Sequence, residues 1–297
     1  MKKKKYLIAI LALVAVLLLA YFAAVPYSFS VSMKLNTHPG DVIETLRIWS
    51  RSLKGSRISE VDSFNSVLQH LEVGGRQYTY LWKFSRPDDS TTRVTVRMSE
   101  PGHDLLNKLL VPFGVPSIEE EGTRLMHEFH KAITSHLEIT RVKIIGEAVL
   151  SEAFCVCRRL STEQIGKANG MMKDFLPLSV FVSDNNLVPD GPPSVRVVEW
   201  NHSLGKLVFD FCFPIKETNS LPNTDIFEYK RFPKTKALKA EYFGNYITSD
   251  RAWYELIHHA ERHDVARTGM PVEIFHDNPN LGLNESRWKA EIYMPID

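Results

Sequence analysis

The chain has 297 residues, of which 44% are hydrophobic and 24% are charged, so it is long enough for about two domains that each bury a core. Its 36 Lys and Arg residues against 35 Asp and Glu residues leave a formal charge of +1. Because there is no basic excess to neutralise a phosphate backbone, and no helix-turn-helix pattern, we expect no nucleic-acid partner.

The N-terminus has the pattern of a membrane anchor. Four lysines at 2–5 precede an unbroken apolar run from Tyr6 to about Val25, which Pro26 ends. About 20 helical residues at roughly 1.5 Å each span about 30 Å, the thickness of a bilayer core. The alternative is a cleaved signal peptide, but the run is long for one and its small residues are poorly spaced for cleavage. We predict a single-pass transmembrane anchor over 1–26, with the lysines in the cytoplasm and the later domains outside it.

The region 27–145 predicts a mixture of strands and helices. Residues 28–35 alternate with period two, and the pair 77–84 and 91–98 reads as a hairpin rich in β-branched and aromatic residues. Val42, Leu46 and Trp49 follow helical spacing in the first part of the region. A stripe of apolar residues over 119–137 predicts a long closing helix.

This order, with the hairpin sequence Tyr-Thr-Tyr-Leu-Trp-Lys-Phe followed by Thr-Arg-Val-Thr-Val, resembles the START-like (SRPBCC) helix-grip domains of the polyketide-cyclase type. The resemblance implies a curved antiparallel sheet that wraps a C-terminal helix and encloses an apolar cavity. One departure is the single Trp49 in the first helix region, where many members have two tryptophans. No ligand-binding residue is carried over from this resemblance.

Residues 146–297 contain two similar segments, at about 146–222 and 226–297. Each predicts a strand, a helix and two further strands. In each, a Gly-x-Pro sequence precedes a strand and the last strand ends in Pro-Ile. Ser161 with Gln164 predicts a capping box for the first helix, and Ser249 or Asp250 predicts a cap for the second. The shared pattern predicts a duplicated βαββ module.

The sequences Glu-Tyr-Phe-Gly-Asn-Tyr at 241–246, Gly-Met-Pro-Val-Glu-Ile-Phe-His-Asp-Asn-Pro-Asn at 269–280 and Trp-Lys-Ala-Glu-Ile-Tyr-Met-Pro-Ile at 288–296 carry a second resemblance. They resemble the GyrI-like small-molecule-binding domain, which is also the effector-binding part of AraC- and MerR-type regulators. The likeness covers about the last 60 residues well and the preceding 90 loosely. It implies a ligand cleft in which an acidic residue of the last strand lies among aromatic rings. The DNA-binding helices of the regulators have no counterpart in this sequence, so their regulatory role is not implied.

Strand periodicity places Asp210 and Glu291 on the side opposite the apolar residues of the two closing strands, at equivalent positions of the repeats. The resemblance gives Glu291 the cleft position. A desolvated carboxylate needs a counter-charge, which a flat cationic ligand would supply while stacking on rings at about 0.5 to 2 kcal/mol per cation–π contact. The candidate ligand-binding residues are Glu291, Tyr293, Asp210, Tyr246, Trp253 and Tyr242. The alternatives are that Glu291 is an exposed acid on a solvated sheet face and that the rings are core residues.

The remaining patterns predict no cofactor and no metal site. His259, Glu261 and His263, like His127 and His130, are more typical of a solvated helix face than of a metal centre. There is no Gly-x-Ser-x-Gly elbow and no glycine-rich phosphate loop. The three cysteines are too few for a disulfide framework, and although one pair could oxidise in an exported chain, the sequence does not say which of Cys155, Cys157 and Cys212 would form it.

Taken together, the sequence predicts the α+β class, with a helix-grip START-like domain over 27–145 and a tandem βαββ GyrI-like domain over 146–297, after one transmembrane helix. The predicted function is small-molecule binding outside the cytoplasm, in a cleft between the repeats suited to amphipathic or cationic ligands. One alternative is a hydrolase that uses Glu291, with a raised pKa, as base or nucleophile and Tyr293 as a donor. Another is a non-catalytic protein that interacts with an envelope partner. We expect binding rather than catalysis.

Overall fold

The computed structural model describes residues 2–24, 27–88, 90–110, 117–279 and 284–297, and leaves out the side chains at 2–5, 18–19, 22–24 and 60. The chain forms two compact units, Met1–Pro39 with Thr45–Ala132 and Gly40–Glu44 with Ile133–Asp297. The division falls inside a long helix, so it does not decide the domain boundary predicted between 145 and 146. Both units combine helices with an antiparallel sheet, which confirms the α+β class.

The first helix, α1 (Lys2–Ala24), covers most of the predicted anchor. Val25 and Pro26, at which the apolar run was predicted to end, lie outside the described residues. Large apolar side chains of α1 are exposed, including Leu7, Ile10 and Leu17. When the described part of the chain is searched, none of its helices is long and apolar enough to cross a membrane.

The rest of the first unit is a five-stranded sheet with three helices. In chain order these elements are β1 (Phe29–Leu35), α2 (Pro39–Ser52), β2 (Arg57–Asp62), β3 (Ser66–Val73), β4 (Arg76–Ser85), β5 (Thr92–Ser99), α3 (Asp104–Leu110) and α4 (Ser117–Ile139). The strand order is β1-β5-β4-β3-β2, with every neighbouring pair antiparallel. The predicted first strand, hairpin and closing helix are confirmed, whereas α3 was not predicted.

Aromatic packing holds α4 against this sheet. The Phe129 ring lies 4.9 Å from that of Trp82 and 5.4 Å from that of Trp49. The Trp82 indole donates to Gln69 Oε1 at 2.8 Å, so this buried amide is satisfied. A cavity of about 560 Å³ lies between the turn after α2, the end of β3 and the α4 residues Arg124 and Leu125. A long helix on an antiparallel sheet is therefore observed, and the START-like assignment stays a prediction.

The second unit contains an eight-stranded antiparallel sheet and two helices. Its elements are β6 (Arg141–Leu150), β7 (Ala153–Glu163), α5 (Lys167–Asp184), β8 (Ser194–Asn201), β9 (Lys206–Pro214), β10 (Glu228–Phe232), β11 (Thr235–Phe243), α6 (Arg251–Arg262), β12 (Val272–Phe275) and β13 (Lys289–Pro295). The strand order is β10-β7-β9-β8-β12-β13-β11-β6. Each repeat runs strand, helix, strand, strand, and β8 pairs with β12 at the centre. The leading strands are exchanged, because β6 pairs with β11 of the second repeat and β10 pairs with β7 of the first.

One face of this sheet, here called the helix face, packs on α5 and α6, and the opposite face is called the far face. Phe209, Phe211, Ala290 and Ile292 belong to the core of the helix face, as strand periodicity predicted. This core joins both repeats in one apolar cluster.

The capping box predicted at Ser161 is wrong, whereas the cap position predicted at Asp250 is confirmed. Ser161 lies inside β7, and α5 begins at Lys167 after a 3₁₀ turn over Gln164–Gly166. Asp250 occupies the N-cap position of α6 but makes no side-chain capping hydrogen bond. The strand continued past the predicted capping residue because its backbone pairs with β9 as far as Glu163. Pairing within the sheet thus overrode the local capping pattern.

A disulfide joins Cys157 to Cys212, which lie opposite each other in β7 and β9. Cys155 is free and buried on the same side of β7. Burial raises the pKa of the Cys155 thiol to about 11, although Arg196 opposes the shift. The structure therefore decides the pairing that the sequence left open.

Candidate functional site

The two repeats are related by the register of the central β8–β12 pair. Val195 lies opposite Glu273 in this pair. Arg196, which follows Val195, lies opposite Asp210. Ile274, which follows Glu273, lies opposite Glu291 in the same way. The register therefore confirms that Asp210 and Glu291 occupy equivalent positions around a pseudo-twofold axis near Val195 and Glu273.

The six candidate ligand-binding residues are divided between the two faces of the sheet. Those on the far face are Asp210, Glu291 and Tyr293. Those packed in the core of the helix face are Tyr242, Tyr246 and Trp253. The structure does not bring the predicted carboxylates and these three rings into one cleft, because the sheet separates them.

Glu291 has partners of its own on the far face. Lys239 Nζ lies 2.9 Å from Glu291 Oε1, and the Tyr293 hydroxyl donates to Oε2 at 2.8 Å. His276 and Lys289 each approach Oε1 to 3.7 Å. The Glu291 side chain is 17% exposed, so it is sheltered but reached by solvent. The sequence argument assumed that a ligand supplies the counter-charge, and this premise is wrong because Lys239 already does so.

The protonation state of Glu291 also departs from the catalytic hypothesis. Although partial burial by itself raises the pKa, the hydrogen bonds from Lys239 and Tyr293 hold the pKa of Glu291 below its usual value. A general base that works near neutral pH requires a raised pKa. The raised pKa on which the hydrolase alternative depended is therefore contradicted.

Asp210 lies in a different ion cluster. Arg159 binds its carboxylate through two nitrogens, at 2.7 and 3.0 Å, and Lys230 Nζ lies 2.9 Å from Oδ1. Burial raises the pKa of Asp210, but these two cations outweigh it, so that the net shift is downward. A carboxylate held in this way links β7, β9 and β10, and its geometry suits a structural ion pair.

The tyrosine hydroxyls on the helix face are used within the protein. Tyr246 donates to the Lys289 carbonyl at 2.7 Å and accepts from the Asp277 amide at 3.0 Å. The Tyr242 hydroxyl donates to the Asn245 carbonyl at 2.8 Å. Burial raises the pKa of both tyrosines well above its usual value. These two residues are core residues with satisfied hydrogen bonds.

The helix face contains a charged site that the sequence analysis missed. Lys167 Nζ lies 2.6 and 2.7 Å from the two carboxylate oxygens of Glu273, and both side chains are completely buried. The same ammonium donates to Ser249 Oγ at 2.8 Å and lies 5.0 Å from the centre of the Trp253 ring. We call Lys167, Ser249, Trp253 and Glu273 the axial cluster, because Glu273 belongs to the pair at the pseudo-twofold axis.

A polar and aromatic layer surrounds the axial cluster. Gln164 Nε2 donates to Asp250 Oδ2 at 2.5 Å and to the Tyr254 hydroxyl at 2.9 Å, while the Trp200 indole donates to Gln164 Oε1 at 2.7 Å. The Trp200 and Trp253 rings are 5.1 Å apart. Two buried atoms, Asp250 Oδ1 and the Trp253 indole nitrogen, have no hydrogen-bond partner within the described chain. Most buried polar groups in folded proteins have a hydrogen-bond partner, so these two atoms are available as an acceptor and a donor.

The electrostatic balance of the axial cluster is set by burial. Removal from water raises the pKa of Glu273, and the Lys167 charge and hydrogen bond oppose the rise without cancelling it.

One sequence signal would have identified Glu273 as a buried carboxylate. Glu273 shares strand parity with the buried Phe275, and an acid in phase with core residues needs a partner. Nothing local identifies that partner, since Lys167 is 106 residues away.

No protein-family model matches this sequence, and no curated protein matches it. Among solved structures, the EcmrR C-terminal domain matches at 15% identity and a TM-score of 0.45, over 53% of this chain and 98% of that chain. SAV2435 bound to tetraphenylphosphonium matches at 11% identity and a TM-score of 0.36, over 53% and 93% of the two chains. A hydrolase from Listeria innocua matches at 11% identity and a TM-score of 0.34, over 51% and 92%. At these scores the likenesses carry no argument about the ligand or activity of this chain.

Proposed function

We propose that this chain is a membrane-anchored protein whose second unit lies outside the cytoplasm and binds a small cationic, aromatic or amphipathic molecule at the axial cluster. The observation that carries the proposal is a completely buried carboxylate, Glu273, that holds an ammonium group beside the Trp253 ring. A carboxylate and a ring facing one cation form a cation-binding site in chemical terms. Here the occupant is the protein's own Lys167.

The ligand would take the place of the Lys167 ammonium. A buried ion pair contributes little net stability, and apolar residues of similar volume often serve a core as well or better. The unpartnered Asp250 Oδ1 and Trp253 indole nitrogen add an acceptor and a donor among the residues in and around the axial cluster. Entry of a ligand requires the first turn of α5, which carries Lys167, to move away from β12. Glu291 on the far face is the competing position, since solvent reaches it directly.

Binding of tetraphenylphosphonium to the full-length chain in lipid nanodiscs tests the proposal, with the anionic tetraphenylborate as a probe of similar shape. The wild-type chain should bind the cation in preference to the anion. Glu273→Gln should weaken binding of the cation by at least about tenfold, which corresponds to about 1.4 kcal/mol. Glu291→Gln is the matched control and should leave the affinity unchanged. The opposite ranking of the two variants would assign the site to the far face, and an unchanged affinity in both would refute a carboxylate site.

Lys167→Met provides a gain-of-function arm for the same experiment. It removes the internal competitor, so tetraphenylphosphonium should bind at least about tenfold more tightly and should raise the melting temperature more than it does in the wild type. If the affinity falls or stays the same, the exchange of Lys167 for a ligand is wrong.

The location proposed for the second unit rests on the sequence of the N-terminus and on the disulfide. Lysines on one side of an apolar run keep that side in the cytoplasm. The Cys157–Cys212 bond suits an oxidising compartment. Added protease should digest the second unit in intact spheroplasts, and digestion only after lysis would contradict this orientation. Catalysis by Glu291 is not proposed, because the pKa of this residue is held low.

A further inference from the structure

Helix α3 has its polar side chains inside and its leucines outside. Asn107 and Lys108 are 5% and 6% exposed, and Asn107 Nδ2 donates to the buried Glu100 carboxylate at 2.8 Å. The leucines of this helix are 45% to 66% exposed, namely Leu105, Leu106, Leu109 and Leu110. This arrangement is the inverse of a helix that packs on its own domain.

The exposed leucines lie at 105, 106, 109 and 110 of one helix, and this spacing places them on one side of it, here called the leucine patch. Isolated apolar side chains on a surface are ordinary, whereas a cluster of four on two helical turns is typical of a surface that binds a protein or a membrane. The buried polar side prevents a simple rotation of the helix, because turning the leucines inward would expose the Asn107–Glu100 hydrogen bond. The leucine patch is therefore a fixed property of the folded first unit.

The beginning of α3 lies near the end of α1. Asp104, the first residue of α3, accepts a hydrogen bond from the Ser28 hydroxyl, and the Ser28 amide donates to the Met98 carbonyl at 2.9 Å. Ser28 lies four residues after Ala24, where α1 ends. Four residues span at most about 14 Å, and the Ser28–Asp104 side-chain contact adds several ångströms, so the beginning of α3 is held within about 20 Å of the end of α1. The surface of α1 is itself apolar, with Leu7, Ile10 and Leu17 exposed.

We propose that α3 lies on the lipid bilayer, with its four leucines inserted among the acyl chains next to the point where α1 leaves the membrane. Short helices with leucines on one side bind the membrane interface in this way. The inference rests on the proposed anchoring of α1, and it adds a second contact that orients the first unit on the membrane surface. The polar residues Asn107 and Lys108 would then face the protein, away from lipid.

Spin labels on engineered cysteines of the full-length chain test this contact in vesicles of phosphatidylethanolamine and phosphatidylglycerol. Labels at Leu105 and Leu109 report on α3, and a label at Leu13 reports on α1. Leu176 is the matched control, because it is 67% exposed and Leu105 is 66% exposed. The measured quantity is the collision rate with oxygen, which concentrates in lipid, relative to that with a water-soluble nickel complex. At Leu105 and Leu109 this ratio should exceed the ratio at Leu176 by about tenfold.

Each other result refutes a specific statement. If Leu13 shows the lipid ratio while Leu105 and Leu109 behave like Leu176, the lipid contact of α3 is wrong and the anchor stands. If Leu13 also behaves like Leu176, the proposed anchor fails, and the contact of α3 fails with it. If Leu105 and Leu109 are shielded from both reagents, a protein covers α3 and the lipid assignment is overturned.

Discussion

The Lys167→Met substitution tests the energetics of the axial cluster most directly. It leaves Glu273 completely buried. The Glu273 carboxylate keeps the hydrogen bond that Ser249 Oγ donates to its Oε2 at 2.9 Å. Loss of one partner from a buried pair costs about 3 to 5 kcal/mol if the other charge stays ionised. The carboxylate has a second option, which is to bind a proton.

Protonation sets the upper limit of the cost. Holding a carboxyl neutral at pH 7, when its ordinary pKa is about 4.3, requires about 1.36 kcal/mol per pH unit, or roughly 3.7 kcal/mol. At pH 5 the same calculation gives about 1 kcal/mol. The folded-state pKa of Glu273 is already raised by burial, and loss of Lys167 raises it further. A carboxyl group whose pKa is raised in the folded state stabilises the fold fully at pH values below its ordinary pKa. This stabilisation is lost as the pH rises through the folded-state pKa.

The expected result is a destabilisation of the second unit by about 3 to 4 kcal/mol at pH 7, which shrinks to about 1 kcal/mol at pH 5. For a unit of this size, the melting temperature at pH 7 should fall by about 7 to 14 °C. The assay is thermal unfolding of the full-length chain, followed by near-ultraviolet circular dichroism at pH 5, 6 and 7. The double variant Lys167→Met with Glu273→Leu removes both charges and should recover most of the loss.

Lys239→Met is the matched control for this experiment. It removes the cation from Glu291, which is 17% exposed, so that water can replace the lost partner and the cost should stay below about 1 kcal/mol. A loss in Lys167→Met as small as that in Lys239→Met, or one that does not shrink towards pH 5, would show that Glu273 is not buried with its charge in the folded protein.

Three further predictions concern the rest of the chain. Asp210→Asn should lower the free energy of unfolding at pH 7 and make it depend less on acidification. The lowered pKa of Asp210 stabilises the fold at pH values above the ordinary carboxyl pKa, and this stabilisation is lost as the pH falls through the folded pKa. Urea unfolding between pH 7 and pH 3 measures both effects. Phe129→Ala should cost about 3 to 5 kcal/mol in the first unit through the cavity left between α4 and the sheet, seen as a lower denaturant midpoint for that unit. Replacing Cys157 and Cys212 together by alanine should cost about 4 kcal/mol, because the bond closes a loop with a separation of 55 residues, and reduction of the wild-type chain should reproduce the shift.

Much of the architecture was readable from local patterns. Periodicity identified the hairpin β4–β5, the long helix α4 and the two closing strands, because a side chain's direction repeats every two residues in a strand and about every 3.6 in a helix. The duplication was readable as well, and the register around Val195 and Glu273 bears out the equivalence of Asp210 and Glu291. Helix α3 and the edge strand β10 of the second unit's sheet were not foreseen, since elements of seven and five residues carry too few repeats of a period. The other edge strand of this sheet, β6, was not foreseen either.

The candidate site was likewise predictable only in part. The parity of Glu291 was predicted from its own strand, but the ammonium that neutralises it comes from Lys239 on the neighbouring strand β11. The sequence by itself determined which residues share a strand face and that the module is duplicated, because both properties depend on neighbours along the chain. Which strands pair, which face the rings occupy and that Lys167 meets Glu273 were decided by the tertiary structure, because these contacts join residues that are far apart in sequence.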